Sequence, residues 1–199
     1  MKFIVFEGID GSGLSTQSNL LKEHLFRNSK KVLLTKEPTD GLPGMLIRNA
    51  LKKRLKFDET TLALLFAADR MDHLANTNFE KYDYVISDRY YISNFAYQSQ
   101  TIPLDFLIEI NRFAKKPDIV VFLDVKPETC LERIMHNRDH IELYENIEQL
   151  KIVKENYLKI LAHLRTNLDL KVVSVDGNKE IEEVHKDIIS ALTKANILK

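Results

Sequence analysis

A chain of 199 residues fits one domain, and an apolar content of 44% supplies a core and excludes a disordered chain. Lysine plus arginine and aspartate plus glutamate each number 29, which argues against a dedicated nucleic-acid or membrane-surface binder but leaves room for a local basic pocket. The lone cysteine, Cys130, excludes an internal disulfide and a cysteine zinc cluster; with no signal-peptide pattern and no apolar run of membrane-spanning length, a soluble cytoplasmic protein is expected.

The chain begins with an apolar run over 2–7, the signature of a buried parallel strand. A glycine segment follows at once: Gly8, Gly11, Ser12, Gly13, Leu14, Ser15 and Thr16 fit the phosphate-loop pattern G-x-x-x-x-G-K-[ST] except that leucine stands where the pattern has lysine. Such a loop turns backbone N–H groups toward phosphate, and the helix behind it adds its positive end. A helix over 15–28, with Leu20, Leu21 and Leu25 on one face, completes the arrangement.

Further along, strands are predicted over 31–35, 84–87, 119–123 and 171–175. Helices are predicted over 43–54, 58–75, 103–114, 127–137, 145–167 and 180–195, with Cys130 packed inside one of them. Alternating strands and helices predict an α/β fold of the P-loop NTPase type, a five-stranded parallel sheet with helices on both faces, as a single domain over 1–199. Ligands of such sheets bind at the carboxyl ends of the strands. There the sequence places the glycine loop, then Lys36, Glu37 and Pro38, then Asp88, Arg89 and Tyr90, then Asp124, then Asp176, Gly177 and Asn178. Asp88 sits where a carboxylate can hold Mg²⁺, with Ser15 as the hydroxyl ligand. Arg89 can neutralise a phosphate, or the two neighbours can simply pair with each other. The six histidines form no metal-binding pattern, and His136 and His140 read as a solvated helix face.

Four stretches in order make the chain resemble the thymidylate kinases. Residues 6–13 are similar to the family's F-E-G-x-D-G-x-G, and Lys36, Glu37 and Pro38 to its R-E-P. Residues 65–70 match L-F-A-A-D-R, and residues 88–98 match D-R-Y-x-x-S-x-x-A-Y-Q. Weaker likeness continues through 122–128 and 131–133 to Tyr157 and Asp176, so the resemblance spans essentially the whole chain.

The resemblance implies transfer of the ATP γ-phosphoryl group to dTMP, giving dTDP and ADP, with Mg²⁺ and as a homodimer. It implies that Phe66 stacks on thymine and Arg70, one helical turn on, donates to it. From the residues alone Phe66 reads as a core aromatic. Asn94 and Tyr97 fall near base and deoxyribose, where a tyrosine can exclude a 2′-hydroxyl by sterics. Glu37 and Gln98 line the acceptor site, and Arg48 and Arg89 face the dTMP phosphate. Asp10 contacts the acceptor near the metal. The implied catalytic set is Asp10, Arg89 and Arg138. Arg138 lies in a lid over 133–145 that ends at Glu142 and Glu145, and Arg133 is its second arginine, on the ATP. The acceptor is an ionised phosphate, so no strong general base is needed.

Leu14 leaves three outcomes open. Arg138, Arg133 or Lys36 supplies the missing charge; the enzyme is slow but adequate; or the chain is a nucleotide-binding paralogue that turns over little. A kinase for another deoxynucleoside monophosphate, such as dUMP, is a further alternative.

Overall fold

Five parallel strands run in the spatial order β2-β3-β1-β4-β5. They are β1 (Lys2–Glu7), β2 (Val32–Lys36), β3 (Tyr84–Asp88), β4 (Ile119–Asp124) and β5 (Val172–Asp176) in a computed structural model that describes residues 1–137 and 142–198. The three inner strands are almost wholly buried, as covering on both faces demands, and the edge strands β2 and β5 are half-exposed.

The helices are α1 (Leu14–Arg27), α2 (Leu42–Leu51), α3 (Glu59–Asn76), α4 (Tyr91–Gln98), α5 (Leu104–Ile110), α6 (Pro127–Asn137), α7 (Ile147–Leu168) and α8 (Ile181–Lys194). The chain leaves β1 toward β2 but later crosses the other way, from β3 past β1 to β4. Right-handed crossovers in opposite directions place their helices on opposite faces. Accordingly α1 packs with α8, and α4 packs with α7 and α3. The neighbours β1 and β3 send their connections in opposite directions, so the crevice opens between their carboxyl ends.

Sequence and structure differ in places. Strands β2 to β5 each run one residue beyond the predicted end, so Lys36, Asp88, Asp124 and Asp176 close their strands instead of following them. Helix α5 stops at Ile110, short of the predicted 114. Helix α4 was not predicted at all. Its eight residues make barely two turns, too short for a periodicity reading, and all are buried.

Candidate active site

The glycine loop turns through left-handed backbone at Gly11 (φ 79°) and Gly13 (φ 94°), a conformation glycine adopts without steric penalty. A side chain at Gly11 would also run into the Cys130 carbonyl of α6. Gly13 caps α1 without a side-chain hydrogen bond, and the first turn contains no acidic residue. The free N–H groups of that turn therefore border a cavity of about 530 Å³, walled by the loop, Asp88, Arg133, Gly177 and Lys179. Ser12, Gly13, Ser15 and Thr16 all line it. Gly8 does not; its carbonyl accepts from Arg89 Nη1 at 2.9 Å. Leu14 contributes only an apolar wall, with its side chain packed into the core at 5% exposure.

Ser15 Oγ donates to Asp88 Oδ2, and Lys36 Nζ stands 3.1 Å from the same hydroxyl and 3.2 Å from the same carboxylate oxygen. Asp88 therefore pairs with Lys36, while Arg89 turns away to Asp10, so the two sequence neighbours do not pair with each other. Arg89 Nη2 donates to Asp10 Oδ1 at 2.7 Å, and Nη1 donates to the Gly8 carbonyl, Ser93 Oγ and Tyr157 Oη. Its backbone sits at φ 71°, a strained value for a side-chain-bearing residue, held by N–H donation to the Phe6 carbonyl. Tyr97 Oη donates to the other Asp10 oxygen at 2.8 Å.

A second cavity, of about 260 Å³, opens on the far side of Asp10, Lys36 and Arg89, which line both spaces. Phe66, Arg70, Asn94, Tyr97 and Gln98, predicted to lie together, all line it. A chain of polar contacts holds its wall. Tyr144 Oη donates to Glu59 at 3.0 Å and accepts from Gln98 Nε2 at 3.2 Å. Gln98 Oε1 accepts from Asn94, Asn94 Oδ1 accepts from Asn111, and Asn111 Oδ1 accepts from Arg70 Nη1. Arg70 is 1% exposed and pairs with the equally buried Glu37 at 2.9 Å, which also meets His73 Nδ1 at 3.1 Å. Glu37 lines the same cavity beside Arg70. Arg48 also lines the cavity, but its guanidinium donates to the carbonyls of Pro38 and Thr39 and pairs with Asp40.

In the segment expected to form a lid, Arg133 Nη2 donates to the Gly177 carbonyl at 3.0 Å, and Glu145 accepts from the Glu142 N–H at 2.7 Å. Glu142 faces the second cavity. Arg138 lies outside the described residues.

Sequence reasoning missed several supports. Glu7 is fully buried and accepts from the N–H groups of Tyr90 and Ser93, from Ser93 Oγ at 2.6 Å and from Tyr157 Oη at 2.9 Å. Burial pushes its carboxyl up to about 7, against the pull of those donors and of Arg89. Glu7 and Ser93 lie inside the matched stretches, so a question about what each touches could have found them. Asn111 stands in no pattern. Cys130 is buried as expected, its thiol pushed up to about 12 by that burial, so it packs and does not react. Among the described residues no helix is long and apolar enough to cross a membrane, and no group of three or more His, Cys, Asp or Glu side chains could hold a metal.

A parallel sheet of this order, a glycine loop at the carboxyl end of β1 and two cavities meeting at one seam define a P-loop nucleoside monophosphate kinase. The model of the thymidylate kinase family matches residues 6–188, and the chain belongs to that family. A "Probable thymidylate kinase" of Methanococcus aeolicus is 43% identical over 99% of this chain and 98% of its own. One from Methanococcus maripaludis is 48% identical over 96% and 94%. The solved thymidylate kinase of Candida albicans superposes with a TM-score of 0.82 at 25% identity, covering 98% of this chain and 92% of that one.

Proposed function

We propose that the chain transfers the γ-phosphoryl group of ATP to the phosphate of dTMP, giving dTDP and ADP, in the cytoplasm and as a homodimer. One observation carries this reading: a phosphate-loop cavity and a base-sized cavity share Asp10, Lys36 and Arg89 as their common wall. Two phosphate-bearing substrates entering from opposite sides would meet there, which is the arrangement in-line transfer needs.

In this reading the loop N–H groups and the α1 terminus bind the ATP phosphates. Phe66 stacks on thymine, Arg70 donates to the base edge, and Asn94 and Gln98 fix the polar wall that holds Arg70. Tyr97 excludes a 2′-hydroxyl. Arg89, with Asp10 orienting it, neutralises the acceptor phosphate. Arg133 lines the ATP cavity, and Arg138 is assigned to the transferring phosphate by the resemblance alone. Ser15 and Asp88 are hard oxygen donors already in contact, and they suit Mg²⁺, which keeps several waters and needs few protein ligands. When bound, Mg²⁺ supplies charge neutralisation of the donor phosphates. The reacting acceptor oxygen carries its own negative charge, so no side chain has to remove a proton.

Leu14 favours a second reading, a protein that binds nucleotides and transfers little. An acceptor panel decides between them: ATP and Mg²⁺ with dTMP, dUMP, dCMP, UMP and AMP. Preferred conversion of dTMP supports the kinase. Calorimetric binding of dTMP with no conversion of any acceptor would refute it. The Candida albicans structure is described in terms of broad substrate specificity, so an even profile across deoxynucleotides would widen the acceptor class without removing the reaction class.

A further inference from the structure

A buried leucine cannot neutralise phosphate, so the charge normally supplied from the start of α1 has to enter the donor cavity from another element. Four cations line that cavity among the described residues: Lys36, Arg89, Arg133 and Lys179. Arg89, held by Asp10, Gly8, Ser93 and Tyr157, is already assigned to the acceptor phosphate. Arg133 is anchored on the Gly177 carbonyl, and Lys179 pairs with Asp187 at 2.7 Å. Lys36 lines both cavities as Arg89 does and pairs with Asp88 at 3.2 Å, but it differs from the other three in its contact with the first turn of α1. It sits on the seam of both cavities, its side chain is 59% exposed, and its ammonium lies 3.1 Å from the hydroxyl of Ser15, the residue directly after Leu14.

Sheet register puts it there. Lys36 is the last residue of β2 and pairs with Asp88, which pairs in turn with Phe6 at the entry to the glycine loop. The four-carbon stem then reaches across Asp88 to the first turn of α1. A flexible point charge with three rotatable donors is what the phosphate-loop lysine provides, and Lys36 has the same chemistry. Both departures of this chain from the resembled pattern bear on the point: leucine for lysine at 14, and lysine for arginine at 36. They face one cavity from two elements.

We propose that Lys36 is the catalytic lysine of this chain, supplying from the end of β2 the charge that Leu14 cannot supply from α1. It donates to oxygens of the transferring phosphoryl group at the seam. The bond from the γ-phosphorus to the β–γ bridging oxygen breaks as the bond to the acceptor phosphate oxygen forms. Lys36 keeps its protons throughout and contributes charge only. The inference rests on the proposed ATP-to-dTMP transfer.

The test compares the parent with Lys36→Met, Leu14→Lys and the double variant. Readouts are turnover, melting temperature, and calorimetric affinity for a non-hydrolysable ATP analogue with Mg²⁺ and for dTMP. The expected fall in kcat for Lys36→Met is about 10²–10³-fold, the cost of removing one group aimed at transition-state charge. Analogue binding weakens, the melting temperature holds, and adding Leu14→Lys recovers about tenfold or more of the loss. A kcat within about threefold of the parent overturns the assignment, as does a loss that tracks the melting temperature and is not recovered by Leu14→Lys. If the parent moves no phosphate to dTMP, the proposed function fails by itself. The analogue-binding arm then still decides Lys36: unchanged affinity in Lys36→Met overturns it, and weakened affinity supports it.

Discussion

Arg89 and Asp10 hold each other at 2.7 Å on the wall common to both cavities. The pair fixes a guanidinium fork toward the space where two phosphates would meet, and Tyr97 fixes the carboxylate from its other side. Lysine cannot replace that fork, because one ammonium cannot serve Asp10, Gly8, Ser93 and Tyr157 together. Arg89→Lys should therefore lower kcat about 10²-fold in a steady-state transfer assay. The backbone gives an independent check: at φ 71°, Arg89→Gly should be about 1 kcal/mol more stable than Arg89→Ala by denaturant unfolding. Equal stabilities would show that the site stores no backbone strain.

Tyr97 separates two roles by its parts. Its hydroxyl holds Asp10 and its ring forms part of the second cavity. Tyr97→Phe should keep the preference for deoxyribose and lower kcat, since only the hydroxyl is lost. Tyr97→Ala should narrow the preference for dTMP over its ribonucleotide counterpart by about tenfold or more. Ratios of kcat/KM for the two acceptors measure this; an unchanged ratio in Tyr97→Ala places the discrimination elsewhere.

Arg70 and Glu37 form an ion pair with both side chains almost fully out of water. Removing one partner of such a pair leaves an uncompensated charge, so Glu37→Gln and Arg70→Met should each cost about 3–5 kcal/mol in urea unfolding. The double variant should cost clearly less than the two singles added together. Strict additivity would mean the residues do not act as a pair.

Glu7 makes stability depend on pH. Its folded-state pKa of about 7 lies above the ordinary value of 4.5, so between those values the native state carries a proton that the unfolded chain has lost. The contribution is complete below pH 4.5 and is lost as pH rises to about 7, by roughly 3 kcal/mol in all. Glutamine mimics the protonated form, accepting from the Tyr90 and Ser93 N–H groups through its oxygen and donating through its amide to hydroxyls that can rotate. Thermal melts of Glu7→Gln and the parent should nearly coincide at pH 5, with the variant the more stable at pH 8. Parallel curves across that range would show that Glu7 is ionised throughout.

Much of the architecture is legible in the chain because its signals are local. Five apolar runs, each ending in a charged or glycine segment, announce a parallel sheet with a shared carboxyl edge. The loop from Gly8 to Thr16 reads directly because its conformation depends on glycine at positions of positive φ. What cannot be read is long-range. Helix α4 hides because at eight residues it is too short to show a helical period. The contact between Lys36 and Ser15 depends on which strand neighbours β3, and no local pattern records strand order. The support of Arg70 by Asn111, 41 positions away, likewise exists only after α3 and α5 are brought together. Glu37 reads as an acceptor-site residue in the sequence and does line the second cavity, but its ion pair with the buried Arg70 exists only in the fold.

Nucleotide analysis of a single reaction tests the central claim most directly: the unmodified chain with ATP, dTMP and Mg²⁺, quenched over time and resolved by chromatography. Phosphoryl transfer across the Asp10–Lys36–Arg89 seam predicts that dTDP and ADP rise together in equal amounts and that neither forms when dTMP is omitted. ADP without dTDP, or bound nucleotides that stay unchanged at every time point, would contradict it.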